Sequence, residues 1–266
     1  GGTNKVTVSE AGSITTGTVN SAYGIYNIGS TNTTTVSGSI TTEGKYSYGI
    51  WNEGSNNTTT VSGSITTTGD DADGIYNIGS TNTTTVSGSI KTGGYGIFNQ
   101  GDDNKTTVSG SIETTGASSY GIENDGAYNT TTVSGDIVTR EAYGHGISNE
   151  GDDNKTTLSG SIKTEGAGAY GIINKGDSNT TTVSGSINTA GGLSAGIFNF
   201  GDNNTTSISG TVKATGASSA ALYNAKGDGN SFTLNEGATI IGDILARDST
   251  NNAFDATNSK LIFNLG

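Results

Sequence analysis

Short apolar stretches recur along the chain at a fixed interval, separated by polar residues and glycine. The tetrapeptide Gly-Ile-x-Asn recurs in steps of 25 residues, except for the 22-residue step from Gly74 to Gly96. It begins at Gly24, Gly49, Gly74, Gly96, Gly121, Gly146, Gly171 and Gly196. A further copy, Ala-Leu-Tyr-Asn, occupies 221–224. Internal repetition at such a period predicts a solenoid or a related repeat architecture.

A second motif, Val-Ser-Gly-Ser-Ile, keeps the same spacing. It begins, with small substitutions, at Val36, Val61, Val86, Val108, Val133, Leu158, Val183 and Ile208. No stretch sustains the 3.6-residue apolar period of a helix, whereas Thr, Ser, Asn and Gly favour short strands joined by turns. In the second repeat we predict strands over 48–53, 58–62 and 64–67, with turns at 54–57 and Gly63.

These patterns predict an all-β fold, a right-handed parallel β-helix (β-solenoid) of about ten three-strand coils with 25 residues per coil. Neighbouring coils would lie about 4.8 Å apart. Strand alternation places Ile25, Val36, Ile40 and their equivalents in the core. We expect the repeat β-helix to cover 1–230, with an imperfect first coil at 1–20 and a degenerate final coil or C-terminal cap at 231–266.

Asparagine recurs at two positions of the coil. The Asn27 column contains Asn27, Asn52, Asn77, Asn99, Asn124, Asn149, Asn174, Asn199 and Asn224. The Asn32 column contains Asn32, Asn57, Asn82, Asn104, Asn129, Asn154, Asn179, Asn204 and Asn230. Asparagine tolerates left-handed backbone angles, and its amide can bond to its own copy one coil away. Both columns are therefore predicted to be structural.

The 22-residue step removes three residues from the last connection of a coil, at 91–94. Length variation at this point predicts a surface loop. Asp70, Asp71 and Asp73 lie in the same connection of the preceding coil. Grouped carboxylates occur in β-helical glycosidases and lyases, but in a variable loop we expect a solvated acidic tip.

Composition narrows the function classes. The chain of 266 residues carries 24 acidic and 12 basic side chains, a net charge of −12. This excess argues against binding nucleic acid or an anionic membrane surface. No apolar run approaches the length of a membrane span, so we expect no membrane insertion of this segment. The chain has no cysteine, which excludes disulfides and thiolate metal sites, and we expect no cofactor.

His145 is the only histidine. It occupies the position held in other coils by Tyr23, Tyr48, Tyr95, Tyr120 and Tyr170, and we interpret it as a member of this tyrosine column. We prefer this interpretation to that of a general base, and with one histidine neither a metal-binding histidine pair nor a Ser/His/Asp arrangement is indicated. The sequence predicts that the chain is not an enzyme.

An aromatic column follows the core isoleucine in the N-terminal half. It contains Tyr26, Trp51, Tyr76 and Phe98, and the same position later holds Glu123, Ser148, Ile173, Phe198 and Tyr223. Strand alternation predicts that this column faces outward. An exposed aromatic stripe suits carbohydrate stacking or side-by-side association, and strand propensity with stacking between coils explains it equally well.

Threonine pairs form a second outward column. They are Thr33 and Thr35, Thr58 and Thr60, Thr83 and Thr85, Thr130 and Thr132, and Thr180 and Thr182. Lys105 and Lys155 replace the first member in two coils. The expected array, about 6.8 Å by about 4.8 Å, resembles the ice-binding face of β-solenoid antifreeze proteins. A hydroxyl-rich face also suits hydrogen bonding to another copy of the chain, or follows from β-propensity alone.

Aspartates follow the turn glycine in the later coils, at Asp152, Asp177, Asp202 and Asp228. Stacked carboxylates repel one another, and a bound Ca²⁺ could relieve the repulsion. The nonapeptide calcium repeat is absent, and aspartate forms Asx-turns in water without a metal. We predict no metal site and keep these four residues as weak candidates.

The tandem Gly-Ile-x-Asn and Val-Ser-Gly-Ser-Ile coils, ending in Ala-Thr-Ile-Ile-Gly-Asp-Ile at 238–244, resemble the passenger domains of bacterial autotransporters (type V secretion). This resemblance implies export through the outer membrane and display on the cell surface as an adhesin, often with self-association or biofilm formation. It transfers no catalytic residue to this chain.

The resulting expectation is a bacterial extracellular adhesin or structural surface segment that acts through its outward threonine and aromatic faces. The expected partners are other copies of the chain, or glycans or proteins of a host or surface. Ice binding by the Thr-x-Thr array is the alternative. A glycan-processing β-helix enzyme is the third hypothesis.

Overall fold

The computed structural model describes residues 3–246 and 260–264. In chain order its strands are β1 (Lys5–Val8), β2 (Ser13–Thr15), β3 (Ile25–Ile28), β4 (Thr33–Val36), β5 (Ser39–Thr42), β6 (Ile50–Glu53), β7 (Thr58–Val61), β8 (Ser64–Thr67), β9 (Ile75–Ile78), β10 (Thr83–Val86), β11 (Ser89–Thr92), β12 (Ile97–Gln100), β13 (Lys105–Val108), β14 (Ser111–Thr114), β15 (Ile122–Asp125), β16 (Thr130–Val133), β17 (Asp136–Thr139), β18 (Ile147–Asn149), β19 (Lys155–Leu158), β20 (Ser161–Thr164), β21 (Ile172–Asn174), β22 (Thr180–Val183), β23 (Ser186–Thr189), β24 (Ala195–Asn199), β25 (Thr205–Ile208), β26 (Thr211–Ala214), β27 (Ala220–Asn224), β28 (Ser231–Asn235), β29 (Thr239–Ile241), β30 (Asp243–Ala246) and β31 (Lys260–Asn264).

Every third strand belongs to the same sheet, so the chain is a β-solenoid of about ten coils with three parallel sheets. Sheet A contains 11 strands, from β1 to β31. Sheets B and C contain 10 strands each, from β2 to β29 and from β3 to β30. Strands of successive coils pair in parallel with equivalent residues opposite each other, as Ile25, Ile50 and Ile75 do. The predicted fold class and repeat length are confirmed.

The core contains the aliphatic residues that the repeat predicted. Val36, Ile40 and Ile50 have no exposed surface, and Ile25 is 5% exposed. One coil buries roughly three aliphatic side chains, which together contribute only about 5–9 kcal/mol. The coil therefore depends on the ladders and packing of its neighbours.

Strand boundaries differ slightly from the predicted ones. In the second repeat β6 begins at Ile50, not at 48, because the backbone still bends at Gly49. β7 ends at Val61, where the Ser-Gly corner begins. β8 has the predicted bounds, Ser64–Thr67.

The corner between sheets A and B requires glycine because successive coils lie in contact there. A Cβ on Gly88 would lie 1.8 Å from the carbonyl oxygen of Gly63, and Gly110 stands in the same relation to Gly88. That oxygen already accepts the N–H of Ser89 at 3.0 Å, so it cannot move without loss of a bond between coils. The invariant Gly of the second motif is thus a packing requirement.

The two asparagine columns are buried and bond differently. In the Asn27 column, Nδ2 of Asn52 donates to Oδ1 of Asn77 at 2.8 Å and to Oγ1 of Thr59 at 3.0 Å. In the Asn32 column, Oδ1 of Asn82 accepts the backbone N–H of Asn57 at 2.8 Å. The first column ties sheet C to sheet A, and the second closes the turn between them.

The segment after Asn230 continues the three sheets. Phe232 and Leu234 of β28 are buried in the core, and β28 pairs with both β25 and β31. Strands β29 and β30 extend sheets B and C in the same way. Across 3–246 and 260–264 there is no helix long and apolar enough to cross a membrane.

Candidate functional site

The predicted threonine pairs lie on the outer surface of sheet A. Thr33 pairs with Thr58, and Thr58 with Thr83, while Thr35, Thr60 and Thr85 form the parallel inner row. The outer row is exposed or half-buried, and the inner row is half-buried. The same placement holds at Thr130, Thr132, Thr180 and Thr182. We call these two rows the threonine face.

The residues between the two rows point inward. Thr34, Thr59 and their equivalents are buried, and their hydroxyls accept the side-chain amides of the Asn27 column. A buried, hydrogen-bonded row of threonines therefore lies between the outer and inner rows of the threonine face. Lys105 and Lys155 interrupt the outer row on β13 and β19, whereas Thr107 and Thr157 complete the inner row.

The predicted exposed stripe of aromatic residues is found only in part. Tyr26 is 46% exposed, Trp51 and Tyr76 are half-buried, and Phe98 is 9% exposed, so its placement on the surface was wrong. The reason is that the tyrosine column of the preceding connection packs beside it. Between ring centroids, Tyr95 lies 5.7 Å from Phe98, as Tyr48 lies 5.6 Å from Trp51.

The two columns merge into one stack of rings along the solenoid. Contacts of 4.5–5.7 Å between ring centroids connect Tyr48, Tyr76, Phe98, Tyr95, Tyr120, His145 and Tyr170. His145 is buried within it, and its Nδ1 accepts the backbone N–H of Tyr170 at 3.0 Å. Burial, with a smaller contribution from the charge of Lys175, lowers the pKa of His145 to about 3. The histidine is therefore neutral at physiological pH.

Asp73 interrupts the tyrosine column. It precedes Gly74 as Tyr48 precedes Gly49, so a short carboxylate stands where its neighbours place a ring. Beside it is a cavity of about 370 Å³, bordered by Tyr48, Tyr76, Tyr95, Phe98, Asp73 and Glu123. We call it the acidic cavity. Gly94, in the shortened connection, also lines it.

Two buried carboxyl groups lie in the acidic cavity. Asp73 is 5% exposed, and its Oδ1 accepts the N–H of Tyr95 at 2.6 Å. Glu123 is 8% exposed, and its Oε2 makes no hydrogen bond. Burial raises the pKa of Asp73 to about 8, and burial with the nearby charges of Glu150 and Asp125 raises that of Glu123 to about 7.

The interpretation of 70–73 as a solvated acidic tip holds for Asp70 and Asp71, which are exposed, and was wrong for Asp73. The signal was present in the sequence, because Asp73 falls at a tyrosine position. Glu123, likewise, falls in the aromatic column. Their position around one cavity was not visible, since Asp73 and Glu123 lie two coils apart.

The four turn aspartates are exposed and form a hydrogen-bonded series. Oδ1 of Asp152 accepts the N–H of Asp177 at 2.7 Å, and Oδ1 of Asp177 accepts that of Asp202 at 2.7 Å. Asp202 accepts the N–H of Asp228 at 2.8 Å. The carboxylates of Asp152, Asp177 and Asp202 thus each cap the next coil. The part of the chain that the structure describes contains no group of three or more His, Cys, Asp or Glu side chains placed to hold a metal ion.

A serine-lined groove follows the corner between sheets A and B. Ser-Gly-Ser segments of successive coils, from Ser37 to Asp136, border about 870 Å³ of open space. Corner glycines and the serines on either side of them line this groove. Groove and threonine face lie on adjacent surfaces, so one side of the solenoid presents hydroxyls over many coils.

The chain matches no protein-family profile, no curated protein and no solved structure.

Proposed function

We propose that this chain is an extracellular surface segment that attaches or self-associates through its outer faces, with the threonine face as the main contact surface. The observation that carries the proposal is the register of that face. Hydroxyl-bearing residues stand at the same two positions from β4 to β28, with lysine replacing one of them in only two strands.

A repeated face of this kind suits multivalent contact. Each hydroxyl gains little by leaving water for a protein partner, about 1 kcal/mol for one hydrogen bond. A row presented on a rigid scaffold engages many such contacts together, and the joint affinity greatly exceeds that of one contact. Another copy of the chain, or a glycan with regularly spaced hydroxyls, offers the matching periodicity.

The half-buried aromatic residues of the N-terminal coils supply a second contact area. Tyr26 is the most exposed of them, and its hydroxyl donates to Oε2 of Glu53 at 2.7 Å. Trp51 packs against Tyr26 and Tyr76 against Trp51, and both residues are half-buried. Presentation on a bacterial cell surface after type V secretion is part of the same proposal, and it rests on the resemblance of the repeat motifs to autotransporter passengers.

The test is a pair of matched double variants displayed on bacterial cells. Thr60→Asp with Thr85→Asp places two charges on the inner row of the threonine face, on paired strands. Thr41→Asp with Thr66→Asp places two charges on sheet B, also on paired strands and also half-buried. We expect the first pair to reduce clumping and surface attachment at least about tenfold by breaking multivalent contact. Equal clumping and attachment by both pairs would contradict the proposal.

Ice binding is the second candidate, favoured by the same register of Thr-x-Thr rows. Ice recognition needs an uninterrupted array, and Lys105 and Lys155 divide the outer row. Thermal hysteresis of the purified chain measures this activity directly. Thermal hysteresis that increases when both lysines are replaced by threonine supports ice binding. No hysteresis in either the parent chain or this variant excludes ice binding.

A further inference from the structure

The acidic cavity exists because one ring is missing from the tyrosine column. Tyr48 and Tyr95 border the gap left at Asp73, and Tyr76 with Phe98 close its side. A volume of about 370 Å³ lies within the range of small-molecule sites. A second ring gap occurs at Ala195 and Ala220, where Tyr170, Leu193, Tyr223 and Leu245 border a cavity of about 330 Å³ without a carboxylate.

The two cavities differ in charge. Asp71, Asp73, Glu123 and Asp125 line the acidic cavity, and among the residues that the structure describes no basic one lines it. Oε2 of Glu123 is buried there without a hydrogen-bond partner. A buried carboxylate oxygen in this state requires a donor, and an ionised one requires a cation.

We propose that the acidic cavity binds an alkylammonium group, whose N–H bonds reach Glu123 while its methylene groups contact the surrounding rings and Asp73 adds a second negative charge. Aromatic faces attract cations, and carboxylates supply the opposite charge. The chain shows the same preference at the cavity's rim with its own ammonium group. Nζ of Lys45 lies 3.4 Å from Asp71 and 4.7 Å from the ring centroid of Tyr46.

The electrostatics of the site favour a cation over a neutral sugar. Besides burial, the charge of Asp71 raises the pKa of Asp73, and the charges of Glu150 and Asp125 raise the pKa of Glu123. The charge of Lys175 lowers the pKa of Glu123. Two carboxyl groups that burial keeps protonated would ionise when an ammonium group enters, so binding releases protons below about pH 8. Neutral ligands cause no such release.

The experiment titrates the folded chain with n-butylammonium chloride, n-butanol and methyl β-glucoside. Isothermal titration calorimetry at pH 6 and pH 9 measures affinity, and amide NMR shifts locate the site at Gly94 and Tyr95 or at Leu193 and Ala220. An alkylammonium group stays charged over this range. We expect butylammonium to shift Gly94 and Tyr95, to bind at least about tenfold more tightly at pH 9 than at pH 6, and to release protons at pH 6.

Further titrations and variants identify the source of the alkylammonium group and the residues that bind it. If Nα-acetyl-lysine methylamide binds more tightly than butylammonium, the group comes from a lysine of a partner protein. If butylammonium binds more tightly, the ligand is a free amine. Glu123→Gln should weaken butylammonium about tenfold by removing one charge. Asp73→Tyr restores the missing ring and should abolish binding, whereas His145→Tyr changes the same column outside the cavity and should leave it intact.

Three outcomes overturn the proposal. Butanol binding at Gly94 as tightly as butylammonium would show an apolar site, since charge would then contribute nothing. Tighter binding of methyl β-glucoside than of butylammonium would show a carbohydrate site. Unchanged butylammonium affinity in Glu123→Gln, with the variant folded by circular dichroism, would show that the carboxyl pair is not the receptor.

Discussion

The side-chain amide of Asn99 donates a hydrogen bond to Oδ1 of Asn124 in the next coil at 3.0 Å. Asn124 in turn donates to Asn149 at 2.9 Å and to Oγ1 of Thr131 at 3.1 Å. All four side chains are buried. In these coils one asparagine therefore satisfies both its neighbour in the next coil and the buried threonine of sheet A.

Replacement of Asn124 by alanine should interrupt this ladder. Asn99 loses its acceptor and Asn149 loses its donor, and each buried polar group left unpaired costs about 1–3 kcal/mol. Urea unfolding followed by far-UV circular dichroism measures the change. Thr132→Ala, on the outward face of the same coil, should stay within about 0.5 kcal/mol and serves as the control. Equal effects of the two replacements would show that the ladder contributes nothing.

The corner glycines should be the least replaceable residues of the coil. Gly88→Ala places a methyl group against the carbonyl of Gly63, and we expect it to destabilise the chain by roughly 2–4 kcal/mol. Gly17 has no neighbour within 4 Å of an added Cβ, so Gly17→Ala should be nearly neutral. Thermal unfolding of both variants distinguishes a packing requirement from a general cost of removing glycine.

Stability should fall as pH rises from 6.5 to 8.5. The pKa of Asp73 rises from 3.8 to about 8 on folding and that of Glu123 from 4.5 to about 7, so the folded chain holds protons that the unfolded chain releases. Their contribution is fully present below about pH 4 and is lost as pH rises through these folded-state pKa values.

His145 acts in the opposite direction at lower pH. Its pKa falls from 6.5 to about 3 on folding, so its contribution rises between pH 3 and 6.5 and is constant above that range. The interval from pH 6.5 to 8.5 therefore isolates the carboxyl pair. Urea midpoints at these two pH values should differ less in Asp73→Asn and Glu123→Gln than in the parent chain; an identical difference in all three would refute the assignment.

The turn aspartates should act as hydrogen-bond acceptors without a metal. Asp177→Asn keeps an acceptor for the N–H of Asp202 and should preserve the melting temperature, whereas Asp177→Ala removes it and should lower the melting temperature. Addition of Ca²⁺ or EDTA should leave the parent chain unchanged. A Ca²⁺-dependent rise in melting temperature that disappears in Asp177→Asn would instead indicate a metal site.

The sequence predicted the outward threonine rows correctly and the aromatic column only in part. Thr33 and Thr35 alternate with buried Thr34, and period-2 alternation within a strand needs no knowledge of the neighbours. Phe98 also obeys the alternation, yet it is buried, because Tyr95 and Tyr76 pack against its ring. Exposure of a ring depends on what the adjacent connection places over it, and no pattern within the strand carries that information.

By itself the 25-residue period determined the solenoid, its three strands per coil and its aliphatic core, because each coil meets only copies of itself and every residue stacks on its equivalent. The sequence contains the substitutions that line the acidic cavity, but only the tertiary structure shows that they border one space. The cavity depends on departures from the repeat in different coils, a carboxylate at Asp73, another at Glu123 and a shortened connection at Gly94. A repeat specifies what is common to all coils, whereas a cavity forms where the side-chain volumes of particular neighbours fail to fill the space between them.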